Sequence, residues 1–282
     1  MRTGLLLAVG LVTGCGFGPR QLESGRVRYN EALKVSGEQQ FLLNVVRLRY
    51  TDTPSSLAVS GIADQRELAA GLRAVRHRFA DLGGRRGVHR VTLFRNVGAE
   101  AGASLAHSHA QIIATGPGPD TSFTEDIARD QVYRPGEPCP TCQMLEHELA
   151  DRERVVAETP HFVAVCPWAA RFDHEVWLLP KPHQPRFESS SDAALTEFAG
   201  LVQRVRRAVD VALGRPAYNE FIRAAPTTAV GDRPWHHWRL ELCPRTARLA
   251  GFELATGTFI LTVAPERSAE LLRAALPPED AE

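Results

Sequence analysis

The sequence predicts an α+β chain in which antiparallel strands and amphipathic helices come from an internal repeat. Three observations predict it. Two apolar stripes recur at helical spacing, one from Leu68 to Leu82 and one from Leu195 to Leu213. Each is followed by a strand-like run, a loop containing Gly or Pro, and a second run that opens on histidines. The spacings agree: Leu82 to His107 is 25 residues and Leu213 to His237 is 24, which an internal duplication explains most simply. Composition sets the bounds. With 282 residues, 44% hydrophobic and 23% charged, the chain is ordinary for a globular protein, which excludes a disordered, collagen-like or multi-span membrane chain. Lys plus Arg and Asp plus Glu both number 33, so no global basic field attracts nucleic acid, and nucleic acid is not an expected partner.

In chain order, the first segment stands apart. Arg2, the apolar run 5–12 and the small residues before Cys15 are the parts of a secretory signal, too short to span a bilayer as a mature helix. The cysteine directly after Thr13-Gly14 resembles a bacterial lipoprotein box, with Cys15 as the lipidated residue. A buried first strand or a mis-assigned start codon are the other readings. Membrane attachment is therefore expected only through a lipid on Cys15. Residues 41–62 also resemble segments near the start of bacterial lipoproteins, so residues 1–62 read as one extraneous segment.

Residues 63–130 carry the first copy of the repeat. Leu68, Leu72, Val75, Phe79 and Leu82 face one way, Arg66, Glu67, Arg73 and Arg76 lie between them, and Gly83-Gly84 ends the helix. A strand over 90–96, a Gly- and Ala-rich loop and a strand over 107–114 follow. Residues 131–282 carry the second copy. It opens on Cys139-Pro140-Thr141-Cys142, with a helix around 145–150 and strands at 154–158, 161–166 and 175–179, then Pro180-Lys181-Pro182-His183. The helix over 195–213 ends at Gly214, and strands at 219–223 and 236–243 close the unit. Cys139 precedes Leu195 by 56 residues; the same distance back from Leu68 reaches residue 12, with no Cys-x-x-Cys or Pro-Lys-x-His between. The first copy reads as truncated, or as having its opening half replaced.

Chemistry concentrates in two places. On the strand through His107-Ser108-His109-Ala110-Gln111, alternation puts His107, His109 and Gln111 on one face. A neutral imidazole attacks phosphorus competently when a neighbour fixes its tautomer and a donor holds the transferred group; Gln111 can be that donor. Upstream, the small-residue loop from Asn96 to Ser104 lets backbone N–H groups approach phosphate. A bare His-x-His equally fills a polar strand edge or holds a metal. The second place is the Cys139/Cys142 pair, whose spacing suits metal chelation; two free loop cysteines are the plain alternative, and no thioredoxin-like context favours a redox dithiol.

Asn96-x-Gly98, Gly102-x-Ser104 and His107-x-His109-x-Gln111 together resemble the galactose-1-phosphate uridylyltransferase branch of the histidine-triad (HIT) superfamily. The second copy adds Cys139-Pro-x-Cys142, Glu175-Val-Trp-Leu-Leu-Pro-Lys-x-His183, the strand from His237 to Glu241 and Ala250-Gly-Phe-Glu-x-x-Thr256-Gly. The resemblance covers about residues 63–275. It implies two HIT-like modules as an internal pseudo-dimer, the first one truncated. It implies that His109 attacks the α-phosphorus of a UDP-sugar or ADP-sugar, that Gln111 bonds the phosphoryl oxygens, that Asn96, Gly102 and Ser104 line the phosphate pocket, and that a sugar 1-phosphate accepts the nucleotide. A homodimer in the cytoplasm is the matching expectation, at odds with the lipoprotein-like start. First-half zinc ligands of the family are absent here, which leaves His107 without its usual partners. The second copy offers Cys139, Cys142, His183 and His237 as a Cys₂His₂ zinc set, with His236 as rival to His237. Arg239 stands where a second nucleophilic histidine would be. Glu125 stands where some members hold a second metal, although a solvated helix-start glutamate explains it as well. Two alternatives stay open: a non-catalytic zinc-binding remnant or fusion protein with a lipid-anchored N-terminus, and a phosphorylase or hydrolase of nucleoside polyphosphates.

Overall fold

The two apolar stripes become the two long helices. A computed structural model describes residues 65–103, 109–116, 133, 136–227 and 235–278. The chain divides into Met1–Leu57 and Ala58–Glu282, and all described residues lie in the latter. The lipoprotein-like segment, Cys15, Ser104, His107 and Glu125 lie outside the described residues.

Helix α1, Gln65–Gly83, buries Ala69, Leu72 and Phe79. After it come β1 (Arg90–Val97), a single 3₁₀ turn (Ala99–Ala101) and β2 (Gln111–Thr115). Helix α2 (Pro140–Asp151) leads into β3 (Val155–Glu158), β4 (Phe162–Val165) and β5 (Val176–Pro180). Helix α3, Asp192–Leu213, is capped by Ser191, whose hydroxyl accepts from the Ala194 amide at 3.1 Å, and ends at Gly214 in the left-handed region, φ 71°. Strands β6 (Tyr218–Arg223) and β7 (Arg239–Pro244) follow, then α4 (Gly251–Thr256) and α5 (Pro265–Ala274).

The seven strands form one sheet, in the order β2-β1-β6-β7-β5-β4-β3, with every pairing antiparallel. The strands that the repeat matches, β1 with β6 and β2 with β7, thus lie back to back about the β1/β6 pair, in register Asn96↔Asn219. One face carries Val91, Leu93, Ile222, Leu240, Leu242, Val176 and Leu178 against Leu195, Phe198, Val202, Val205 and Leu272 of the helices. Burying each such side chain contributes about 1.5–3 kcal/mol. Trp238 seals this core, its ring 5.1 Å from both Phe187 and Phe198. On the opposite face a second apolar cluster lies toward β3, β4 and β5, where Leu145 of α2 packs on Val155, Val163, Val165 and Leu179. Over β1 and β6 that face carries Phe94, Asn96, Asn219 and Phe221, by alternation with the core residues.

Three elements differ from expectation. The strand expected over 107–114 begins at Gln111, so His109 and Ala110 precede it, and 104–108 lie outside the described residues. The strand expected from His236 begins at Arg239, because the Trp238 amide donates to the Gln184 carbonyl at 2.9 Å and not to a neighbouring strand. Helix α2 starts five residues before Leu145, since Pro140 occupies its first turn, where a missing N–H costs nothing. Helices α4 and α5 add to the elements the sequence pattern predicts; α5 also starts on a proline.

Candidate active site and metal centre

Cys139 caps α2 and Cys142 lies on its first turn, so two thiols three residues apart share one side of the helix start. Strand β5 ends at Pro180 and delivers His183 to them; the segment before β7 delivers His237. The Cys142 sulfur is 3.4 Å from His183 Nδ1 and 3.5 Å from His237 Nδ1. All four donor atoms lie within 4.8 Å of one another. A tetrahedral ion bound at ~2.3 Å by sulfur and ~2.0–2.1 Å by nitrogen separates S and N by roughly 3.6 Å, so the spacing already matches a shared ion. His237 is 2% exposed, and its Nε2 donates to the Pro180 carbonyl at 2.8 Å. A carbonyl only accepts, so the proton sits on Nε2 and the Nδ1 lone pair points to the sulfur. The sequence left His236 and His237 as rivals; the donor cluster contains His237.

Burial, and the second thiol of Cys139 beside it, push the Cys142 thiol up to about 12. With no cation beside it the Cys142 thiol resists ionising, and a bound metal would reverse that by holding it as thiolate. Cys139 donates to the Trp235 carbonyl at 3.2 Å. The donor chemistry, spacing and tautomer all fit a metal ion.

The expected transfer site lies toward the β2 side of the sheet. Gln111 opens β2, exposed and directly opposite Phe94 on β1, so it shares a face with Phe94 and Asn96. His109 lies two residues before it and is half-buried. Asn96 accepts at Oδ1 from Asn219 Nδ2 at 2.9 Å, and the same amide nitrogen donates to the Ala101 carbonyl at 2.8 Å. Sequence reasoning missed Asn219. It ties β6 to both the strand and the loop of the site, and only the cross-strand register reveals it. In the loop, Gly98 has φ 83° and Gly102 φ 80°. The Ala101 and Ala103 amides donate to the Gly98 carbonyl at 3.2 and 3.1 Å, and the Gly102 amide donates to Ala99 at 2.9 Å. The Ala101, Gly102 and Ala103 amides thus turn back into the loop, which offers close approach past its glycines. The Asn96 side-chain nitrogen lies 4.0 Å from the position a Gly102 Cβ would take.

A family model described as "Domain of unknown function (DUF4921)" matches residues 45–278. An ADP-glucose phosphorylase of Arabidopsis thaliana is 33% identical over 188 residues, which cover 66% of this chain and 52% of that protein. A galactose-1-phosphate uridylyltransferase of Thermotoga maritima is 33% identical over 190 residues, covering 65% and 59%. The chain thus spans about half the length of these curated relatives. A crystal structure of an ADP-glucose phosphorylase from Arabidopsis thaliana with bound ADP-glucose superimposes with a TM-score of 0.70 at 28% identity, over 78% of this chain and 70% of that one. Among the described residues no helix is long and apolar enough to cross a membrane.

Proposed function

The chain belongs to the DUF4921 family, and from that premise we propose that it is a nucleotidyltransferase resembling galactose-1-phosphate uridylyltransferase. It moves a nucleoside monophosphate from a UDP-sugar or ADP-sugar through His109. The unprotonated imidazole attacks the α-phosphorus; the N–P bond forms as the P–O bond to the sugar 1-phosphate breaks, and the sugar 1-phosphate leaves with the electron pair. An oxygen of an incoming sugar 1-phosphate then forms the new P–O bond, and the N–P electron pair returns to the imidazole. Gln111 donates its amide N–H to the phosphoryl oxygens, and Asn96, Gly102 and Ser104 line the phosphate. The observation that carries this reading is the placement of Gln111 on the face of Asn96, at the mouth of β2, two residues after His109.

Zinc held by Cys139, Cys142, His183 and His237 supplies a structural clip that joins the start of α2, the end of β5 and the approach to β7. The reaction belongs in the cytoplasm, where sugar nucleotides are made, and the working form is a homodimer. The test is labelling with α-³²P UDP-glucose and ADP-glucose. The wild-type chain should retain acid-labile label, and His109→Ala should retain none. Equal labelling of both overturns the reading and leaves a metal-clipped, non-catalytic scaffold. Glucose 1-phosphate and inorganic phosphate as acceptors separate a transferase from a phosphorylase.

A further inference from the structure

On the sheet face away from α1, α3 and α5, β1 and β6 border a hollow of about 310 Å³. Val91, Leu93 and Ile222 face the helices, so Thr92, Phe94, Phe221 and Arg223 face the hollow. Arg90, at the start of β1, and Arg171, from the loop between β4 and β5, complete its charged lining. We propose that this hollow is a binding site for a phosphoryl dianion, separate from the position where phosphorus is transferred.

The arginines are held in place before any ligand arrives. Arg90 is only 9% exposed, and its Nη1 donates to the Ala224 carbonyl at 3.0 Å. Arg171 donates to Glu175 Oε1 at 3.0 Å and also to Glu241. Arg223 Nε lies 2.6 Å from Glu241 Oε1. The guanidinium groups of Arg171 and Arg223 lie 5.6 and 5.3 Å from the Phe221 ring, a cation–π contact for each. Arg239 also bonds Glu241, at 2.7 Å. Glu175 and Glu241 thus hold the three guanidinium groups of Arg171, Arg223 and Arg239, and Arg90 adds a further positive charge to the lining. Burial acts to raise the Glu241 carboxyl, but Arg239, Arg223 and Arg171 override it and hold it below the usual carboxylate range, so it stays charged and keeps the arginines aligned. A guanidinium presents five N–H donors in a planar fork, the geometry that receives phosphate oxygens in pairs.

Size and place narrow the ligand. The hollow is at the small end of ligand pockets, ~300–1,000 Å³, which suits a free phosphate or a phosphorylated hexose and not a whole sugar nucleotide. Phe94 pairs across the sheet with Gln111 on one side and with Phe221 on the other. At ~4.8 Å per strand, Phe221 stands roughly 10 Å from Gln111. Phe94, also in the lining, is one strand from Gln111, so the hollow borders the transfer site, and an anion held at its Arg171 and Arg223 end is a neighbour of that site and not its reacting group. The proposal stands whether or not His109 carries out the chemistry.

The test is calorimetric titration of the full chain at fixed chloride with inorganic phosphate, glucose 1-phosphate and glucose. Phosphate and glucose 1-phosphate should bind, and neutral glucose should not. Arg223→Gln should weaken binding about tenfold or more. Thr92→Trp, which fills the hollow and leaves every arginine in place, should do the same, with circular dichroism confirming the fold. His109→Ala should leave the binding intact. Equal affinities for the two ligands identify the free anion as occupant; tighter glucose 1-phosphate identifies the phosphorylated sugar. No binding, or binding that survives both Arg223→Gln and Thr92→Trp, overturns the proposal. So does binding lost with His109→Ala and untouched by Thr92→Trp, which places the anion at the transfer site.

Discussion

Strands β2 and β7 are counterparts in the repeat, and they have opposite surroundings. Every residue of β7 is buried, between β6 on one side and β5 on the other. Along β2 the residues alternate between half-buried and exposed, and among the described residues β2 pairs only with β1. The strand enclosed on both sides carries Arg239 where the open one is preceded by His109, and its carboxylate Glu241 is locked among three guanidinium groups. The difference teaches how two strands matched by sequence spacing come to differ through their surroundings. Enclosed, polar residues become fixed structural charge; left at an edge, they stay within reach of a ligand. The cluster of metal-donor side chains, Cys139, Cys142, His183 and His237, belongs to the half that contains the enclosed strand.

The sharpest way to break this comparison is to remove the metal. If the second copy is a clipped scaffold, stripping zinc with a chelator, or Cys142→Ser, should cost ~4 kcal/mol or more and lower Tm by about 10 °C in scanning calorimetry. An unchanged Tm, with no zinc found by elemental analysis, would remove the scaffold half of the contrast. Next comes the seam between the copies. Glu220 is buried on β6, bonded to Arg206 at 2.8 Å and paired in register with Arg95 of β1. Glu220→Gln leaves Arg206 buried without its counter-charge, at a cost of ~3–5 kcal/mol. Burial acts to raise the Glu220 carboxyl, yet Arg206, then Arg95, hold it below its ordinary value. Folding therefore gains stability above the unfolded carboxylate value, near pH ~4.3, and that gain is lost as pH falls through the lower folded value. Urea midpoints between pH 3 and 7 should drop on acidification in the wild type and less in the glutamine variant.

Much of this contrast is legible in the sequence, and what is missing has physical causes. Helices α1 and α3 are readable because their stripes satisfy the helical period over 19 and 22 residues. The metal cluster is readable because Cys-x-x-Cys is a local pattern; the choice of His237 over His236 depends on a carbonyl 57 residues away at Pro180. Asn219 has no local signal, since its role comes from a partner 123 residues distant. The arginines of the hollow are separated by up to 133 residues and look individually like solvated surface charges. The late start of β7 reflects one backbone bond, from Trp238 to Gln184, that alternation does not encode.

Two smaller effects sharpen the open half. Gly98 has φ 83°, and a Cβ there would sit 2.7 Å from Ala217 Cβ. Gly98→Ala should cost ~2–3 kcal/mol from strain and overlap, and it should displace the loop that follows Asn96, lowering transfer more than its stability loss explains. Asn219→Ala should be milder for folding, ~1–2 kcal/mol, because one amide with two acceptors is lost. Its informative readout is kinetic. If Asn219 only braces the sheet, kcat and KM at saturating fold should match the wild type. If it aims Asn96 at the phosphate, KM for the sugar nucleotide should rise several-fold, more than a Tm loss of a few degrees explains, and Asn219→Gln, whose longer arm keeps the amide but moves it, should restore stability without restoring KM. A wild-type KM in both variants would assign Asn219 to the scaffold and leave Asn96 held by its strand alone.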